Sequence, residues 1–281
     1  MSFTVPPAPL DITEHFPALV PYARATTLLY PRIGTPGRGD SSLGGPLLWP
    51  ADEKWPACAA TDHYFPAPGP GPVTMVPVLQ LFARDVPALV FPPGTDVLQM
   101  LWCPLLHSDD DQWSPVPVLR WRSAAELRSR PLLEEPPMPR EFEEDFVPRP
   151  CVVHPTEAVE YPNWDLPEEL SEDVGEWSDA LVEATGISYY DAYTTQQSKV
   201  GGYPGWTQPP DWPDCACGAP MEHLLTVSAS ESAGRWLPVE ERDDDPYADN
   251  SHGMPMGDVG GVYVFICRSC PGWPTAHRFD C

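Results

Sequence analysis

Ser42-Leu43-Gly44-Gly45-Pro46-Leu47-Leu48-Trp49, followed by Trp55-Pro56-Ala57-Cys58, returns later in the chain as Lys199-Val200-Gly201-Gly202-Tyr203-Pro204-Gly205-Trp206, followed by Trp212-Pro213-Asp214-Cys215. The spacing is constant: Gly44 to Gly201, Trp49 to Trp206, Trp55 to Trp212, Pro56 to Pro213 and Cys58 to Cys215 are each 157 positions apart. Ungapped agreement at Gly, Trp, Pro and Cys is the mark of an internal repeat. A Gly pair admits positive φ and lets backbones approach closely. Large indole rings downstream can then cover strands as lids, so Trp49, Trp55, Trp206 and Trp212 are expected in the core of each copy.

The likeness extends further along the chain. Val76–Phe82 and then Val97–Cys103 in the first copy face Leu224–Val227 and Val262–Cys267 in the second, with Cys103 and Cys267 now 164 apart, so the second copy holds about seven extra residues. Pro93-Gly94 predicts a turn between strand-like Ala88–Phe91 and Val97–Cys103. Val116–Arg122 and Cys151–Tyr161 read as further strands, the latter an edge strand because of Pro155. Ser123-Ala-Ala-Glu126 is a capping box opening a short helix. Leu166, Leu170, Val174, Trp177 and Leu181 fall at helical spacing, with Asp165 as cap and Gly186 as stop, predicting a helix over 165–185.

These elements predict an α+β, sheet-rich, internally duplicated fold: two related β modules packed as one compact unit with few helices. The division read from the sequence is a segment 1–27, a first β module 28–122, a connecting region 123–197 and a second β module 198–281 that carries the Cys cluster. The 40 prolines among 281 residues argue for short strands and many turns.

The formal net charge of −25 repels phosphate backbones and argues against nucleic acid as a partner; it suits a basic protein surface or a cation, or serves solubility alone. No run of about 18 apolar residues predicts a membrane span. The opening MSFTVPPAPLDITEHF has neither a basic start nor an apolar run, so it reads as no signal peptide and predicts a cytoplasmic chain. Its eight cysteines are then expected as thiols or metal ligands.

Ser198-Lys199-Val200-Gly201-Gly202 with Trp206, Cys217-Gly-Ala-Pro-Met221 before an apolar strand, and Met256-Gly-Asp-Val-Gly-Gly-Val-Tyr-Val-Phe-Ile-Cys267 resemble the YwqG-like family (domain of unknown function nineteen sixty-three). The same elements are more weakly similar to the C-terminal part of programmed cell death protein 2. The resemblance covers roughly Leu28 to the C-terminus. It implies a duplicated sheet-rich fold without an established activity and a protein-binding role, chaperone-like or immunity-like, with a toxin or a ribosomal protein as fitting partners. Cys215-Ala-Cys217-Gly218 departs from the Cys-x-x-Cys-Gly that the resemblance leads one to expect.

Cys215-x-Cys217 and Cys267-x-x-Cys270 are two close pairs whose four thiolates suit a structural zinc site, with Cys281 as a possible replacement ligand. Cys58 and Cys103 stand at equivalent positions of the first copy and read as a degenerate site, now ordinary apolar cysteines. A Cys217–His223 catalytic pair, calcium at Asp109–Asp111 or Asp243–Asp245, and an aromatic ligand platform are each weaker than their structural readings. Trp113, Trp236 and Trp273, beside polar loops, are expected to be free to touch a partner. The expectation is therefore a non-enzymatic binding protein with a structural zinc. The alternative is a small-ligand binder or enzyme using the cleft between modules, near Gly257-Asp258 and Tyr263.

Overall fold

Strands covered on both faces read as near-continuous apolar runs, and Val97–Trp102 and Gly261–Ile266 are buried at every position. They are the second strands of two six-stranded antiparallel sheets in a computed structural model that describes residues 3–60, 63–65, 69–108, 113–231, 234–241, 251–257 and 259–280. The strands are β1 (Arg24–Leu28), β2 (Arg32–Ile33), β3 (Ser42–Leu43), β4 (Ala57–Cys58), β5 (His63–Phe65), β6 (Val73–Thr74), β7 (Val76–Phe82), β8 (Val97–Trp102), β9 (Leu106–His107), β10 (Pro117–Arg122), β11 (Cys151–Val152), β12 (Thr156–Glu160), β13 (Lys199–Gly201), β14 (Glu222–Ser228), β15 (Gly261–Ile266) and β16 (Thr275–Asp280). The first sheet runs β10-β8-β7-β3-β11-β2 and the second β16-β15-β14-β13-β1-β12. β4 pairs with β6 and β5 with β9 outside them. The α+β, sheet-rich architecture expected from the sequence is present.

The two sheets agree in register as well as in order. β7 meets β8 from Val76↔Trp102 to Phe82↔Val97, with a bulge between Pro77 and Leu79. β14 meets β15 from Glu222↔Ile266 to Ser228↔Gly261, with a bulge between His223 and Leu225. Pro77 thus sits in a central strand at the one kind of place where a missing N–H is tolerated.

The strands do not follow the sequence boundaries drawn above. β1, from the N-terminal region, lies between β12 and β13 in the second sheet. β11, from the middle of the chain, lies between β2 and β3 in the first. Each sheet therefore takes one strand from the other half. Cys151–Tyr161, expected as one strand, is two: Cys151–Val152 joins the first sheet and Thr156–Glu160 the second. Pro155 lies at the crossing, immediately before β12 begins at Thr156. Ala88–Phe91 forms no strand, because the partner of β8 in that hairpin is β7.

The sheets pack face to face. Leu79, Leu81, Leu98 and Met100 of the first and Leu225, Val227, Val262 and Val264 of the second form one buried cluster. Each outer face has its own lid. Trp49, Cys58, Met75, Leu101 and Cys103 cluster on the first sheet, and Trp206, Cys215, Met221, Phe265 and Cys267 on the second. Trp55 and Trp212 pack partly buried against these lids. Gln99 Nε2 donates to Leu48 O (3.0 Å) and Tyr263 Oη to Gly205 O (3.0 Å), so each buried side chain pins the residue before its lid tryptophan.

The α-helices among the described residues are α1 (Ile12–His15), α2 (Ala124–Arg128), α3 (Glu168–Thr185) and α4 (Tyr189–Tyr193). The Ser123 hydroxyl accepts from Glu126 N (3.4 Å), as the capping box predicts. α3 ends at Gly186 with φ 75°, also as predicted. Its cap is not Asp165: Pro167 precedes the first turn, and Asp165 Oδ1 instead accepts from Trp212 Nε1 (2.8 Å). Among the described residues no helix is long and apolar enough to cross a membrane.

Candidate metal centres

The cysteines expected to bind metal come together at one end of the second sheet. Cys215 follows the Trp212-Pro213 lid, in a tight turn where Gly218 N donates to Cys215 O (2.8 Å) and Cys215 N to Ala219 O (2.8 Å). Gly218 takes φ 83°, which a side chain would disfavour. Cys267 leaves β15, and Cys270 lies in the turn back to β16. The ligand atoms of Cys215, Cys217, Cys267 and Cys270 all lie within 4.8 Å of one another.

The distances suit a tetrahedral ion. Cys215 Sγ to Cys270 Sγ and Cys217 Sγ to Cys267 Sγ are both 3.8 Å. Metal–sulfur bonds of about 2.3 Å at tetrahedral angles place sulfurs about 3.8 Å apart. The Cys-x-Cys spacing is accommodated because its members pair with opposite members of the second loop. Ionisation of the bare set is uneven. The Ala219 backbone amide first, then the Cys270 and Cys215 thiols, hold Cys217 down to about 7, while hydrogen bonding to the Cys217 and Cys215 sulfurs pushes Cys270 up to about 12. A bound cation is what lets four such sulfurs be thiolates together. Cys281, the possible substitute, lies outside the described residues.

A second cluster was not foreseen. Cys58 and Cys103 are not ordinary apolar cysteines: with His63 and His107 they form a set whose ligand atoms also lie within 4.8 Å of one another. Cys103 Sγ is 3.4 Å from His63 Nε2, and Cys58 Sγ is 3.9 Å from His107 Nε2. His63 and His107 face each other across the β5–β9 pair, ring centroids 4.5 Å apart. The Cys103 thiol first, with the two imidazoles, holds Cys58 down to about 3 against its burial. Cys58-x4-His63 and Cys103-x3-His107 were the available signal, hidden because the partners are histidines.

His223 is buried in β14, its Nδ1 against Gly201 O (3.0 Å) and its Nε2 against Thr226 Oγ1 (2.9 Å), which leaves neither nitrogen for Cys217. Tyr263 is buried, its hydroxyl bonded to Gly205 O and to Asp280 Oδ1 (2.7 Å). Asp109–Asp111, Asp243–Asp245 and Asp258 lie outside the described residues. Trp236 is not free for a partner, since it is buried with Nε1 donating to Asp191 O (2.9 Å). Trp273 packs edge-on to Trp121, while Trp113 is exposed against Tyr64. A hollow of about 710 Å³ beside the four-cysteine cluster is lined by Arg24, Asp165, Tyr203, Trp212 and His223, with the Arg24 guanidinium 4.0 Å above the Tyr203 ring. No protein-family model matches the chain, and no curated protein matches it.

Proposed function

We propose that this is a non-enzymatic, cytoplasmic binding protein, YwqG-like in kind, whose Cys215–Cys217–Cys267–Cys270 site holds a structural zinc and whose acidic surface engages a basic protein. The observation that carries the partner reading is α3. Glu168, Glu169, Glu172, Asp173, Glu176, Asp179 and Glu183 are all exposed on it, and the helix has no basic residue. Like charges three and four apart destabilise a helix, and among the described residues no ion pair reaches these carboxylates. A basic partner would relieve that repulsion and be steered to it. Four cysteine ligands with no open coordination position support a structural rather than catalytic metal.

The test is binding to a panel of purified basic proteins at increasing salt, for the wild type and for a variant with Glu172→Gln, Asp173→Asn, Glu176→Gln and Glu183→Gln. One preferred partner, weakened by salt and by the variant, is the expected result. Equal, feeble binding to every member would sink the proposal. The hollow at Arg24 and Tyr203 favours a second reading, a small anionic ligand. Ligand-induced thermal stabilisation abolished by Arg24→Ala would select it.

A further inference from the structure

We infer that Cys58, His63, Cys103 and His107 form a second, separate metal site for a zinc-like divalent ion, so that the chain carries two ions, one on the outer face of each sheet. The inference extends the metal-bearing reading above but rests on its own residues.

Three independent observations carry it. The first is the donor set. Two thiols and two imidazoles converge with sulfur–nitrogen separations of 3.4 and 3.9 Å, bracketing the roughly 3.5 Å expected across a tetrahedral ion with bonds of about 2.3 Å to sulfur and about 2.0 Å to nitrogen. Cys58, Cys103 and His107 are buried and His63 is half-buried. Four protein ligands leave no open position, which is the pattern of a structural ion.

The second is position. Cys58 and Cys215 are 157 apart, as are the lid tryptophans Trp49 and Trp206, and each Cys belongs to the cluster on the outer face of its own sheet. The backbone anchors agree too. Met75 N donates to Pro56 O and Met221 N to Pro213 O, both at 3.1 Å. Cys103 N donates to Val116 O (3.1 Å) and Cys267 N to Pro274 O (2.9 Å). The two sites therefore sit at the same station of two matching sheets. His63 and His107 replace the second cysteine of each pair on longer spacers.

The third is what the site joins. Cys58 comes from β4, His63 from β5, Cys103 from the end of β8 and His107 from β9. The β4–β6 and β5–β9 ladders are only two or three residues long. Pairs that short have little stability of their own, and an ion bonded to three of these segments and to β8 would fasten them to the first sheet.

Metal analysis by plasma mass spectrometry settles the point, on protein purified without a metal-binding tag and refolded with zinc under reducing conditions. Wild type should carry two equivalents. His63→Ala with His107→Ala should carry one, and Cys267→Ser with Cys270→Ser should lose the other. Should the alanine variant fail to fold, His63→Cys with His107→Cys decides. It should keep two ions, and its cobalt-substituted form should gain about a third in thiolate-to-cobalt charge-transfer intensity, as six thiolates become eight. One equivalent that survives the histidine changes but not Cys267→Ser with Cys270→Ser overturns this inference and leaves the four-thiolate reading intact. One equivalent with the opposite dependence supports this site and overturns the other.

Discussion

Leu28 and Val152 hold the same station in opposite sheets: Leu28 pairs with Lys199 on one side and Thr156 on the other, Val152 with Ser42 and Arg32. Each belongs to a strand that has left its own half of the chain. A chain cut between Glu134 and Glu135, both exposed, should therefore give two fragments that are unfolded alone and fold when mixed. Circular dichroism and size-exclusion chromatography would show this, and fragments that fold separately would contradict the exchange.

Gly44 and Gly201 each take positive φ, 65° and 72°, where the chain passes close under the exchanged strand. A Cβ on Gly44 would meet Arg149 O at 2.4 Å, and one on Gly201 would meet Ala25 O at 3.0 Å. The left-handed conformation alone costs an alanine about 1–2 kcal/mol. Gly44→Ala should lose more stability than Gly201→Ala in urea titrations, by the added clash. Equal and small losses would mean that the exchanged strands move freely.

Lys199 and Glu160 form a buried pair, Nζ to Oε1 2.7 Å, both side chains fully buried. Glu160 also accepts from Thr195 N (2.7 Å) and Tyr203 N (3.1 Å), and burial lowers the Lys199 pKa despite its partner. Lys199→Met strands the carboxylate and should cost about 3–5 kcal/mol, whereas Lys199→Met with Glu160→Leu should recover part of that. Chemical denaturation of both variants tests it; a double variant no better than the single one would show that Glu160 acts through its backbone partners instead.

His223 is held down to about 3, first by burial and then by the Lys199 charge. Its folded value lies below the ordinary 6.5, so the unfolded chain takes up a proton that the folded chain refuses. Stability from this group is complete above pH 6.5 and drains away as pH falls toward 3. His223→Gln should flatten that part of the stability–pH curve. An unchanged slope between pH 6.5 and pH 4 would assign the acid sensitivity elsewhere.

The largely apolar runs of β7, β8, β14 and β15 were legible because strands covered on both faces are mostly hydrophobic, even with Gln80, Gln99 and Thr226 buried among them, and the Gly and Trp repeats marked the lids. β1, Arg-Ala-Thr-Thr-Leu, was missed: its partners lie far away in sequence, and nothing local announces that it will be covered. β16 was missed because an edge strand such as Thr-Ala-His-Arg-Phe-Asp is half-exposed and polar. The four-cysteine cluster could be read from close pairs of one rare residue. The mixed cluster could not, because its histidines lie four or five residues from the cysteines and matter only once β5 meets β9.

The exchange of β1 also sets a schedule for synthesis. Leu28 leaves the ribosome early, yet its partner Lys199 follows 171 residues later, 199 − 28. At about 5–20 residues per second, that is a wait of roughly 9–34 s. Thr26, Thr27 and Leu28, all buried in the finished sheet, have an open hydrogen-bonding edge on each side until Thr156–Glu160 emerges, and on one side until Lys199 does. Contacts this distant in sequence are slow to form and leave strands open to wrong pairing. In the cell nascent β1 is thus a strand kept waiting, and the yield of folded protein should respond to translation speed and to chaperones that bind extended apolar segments.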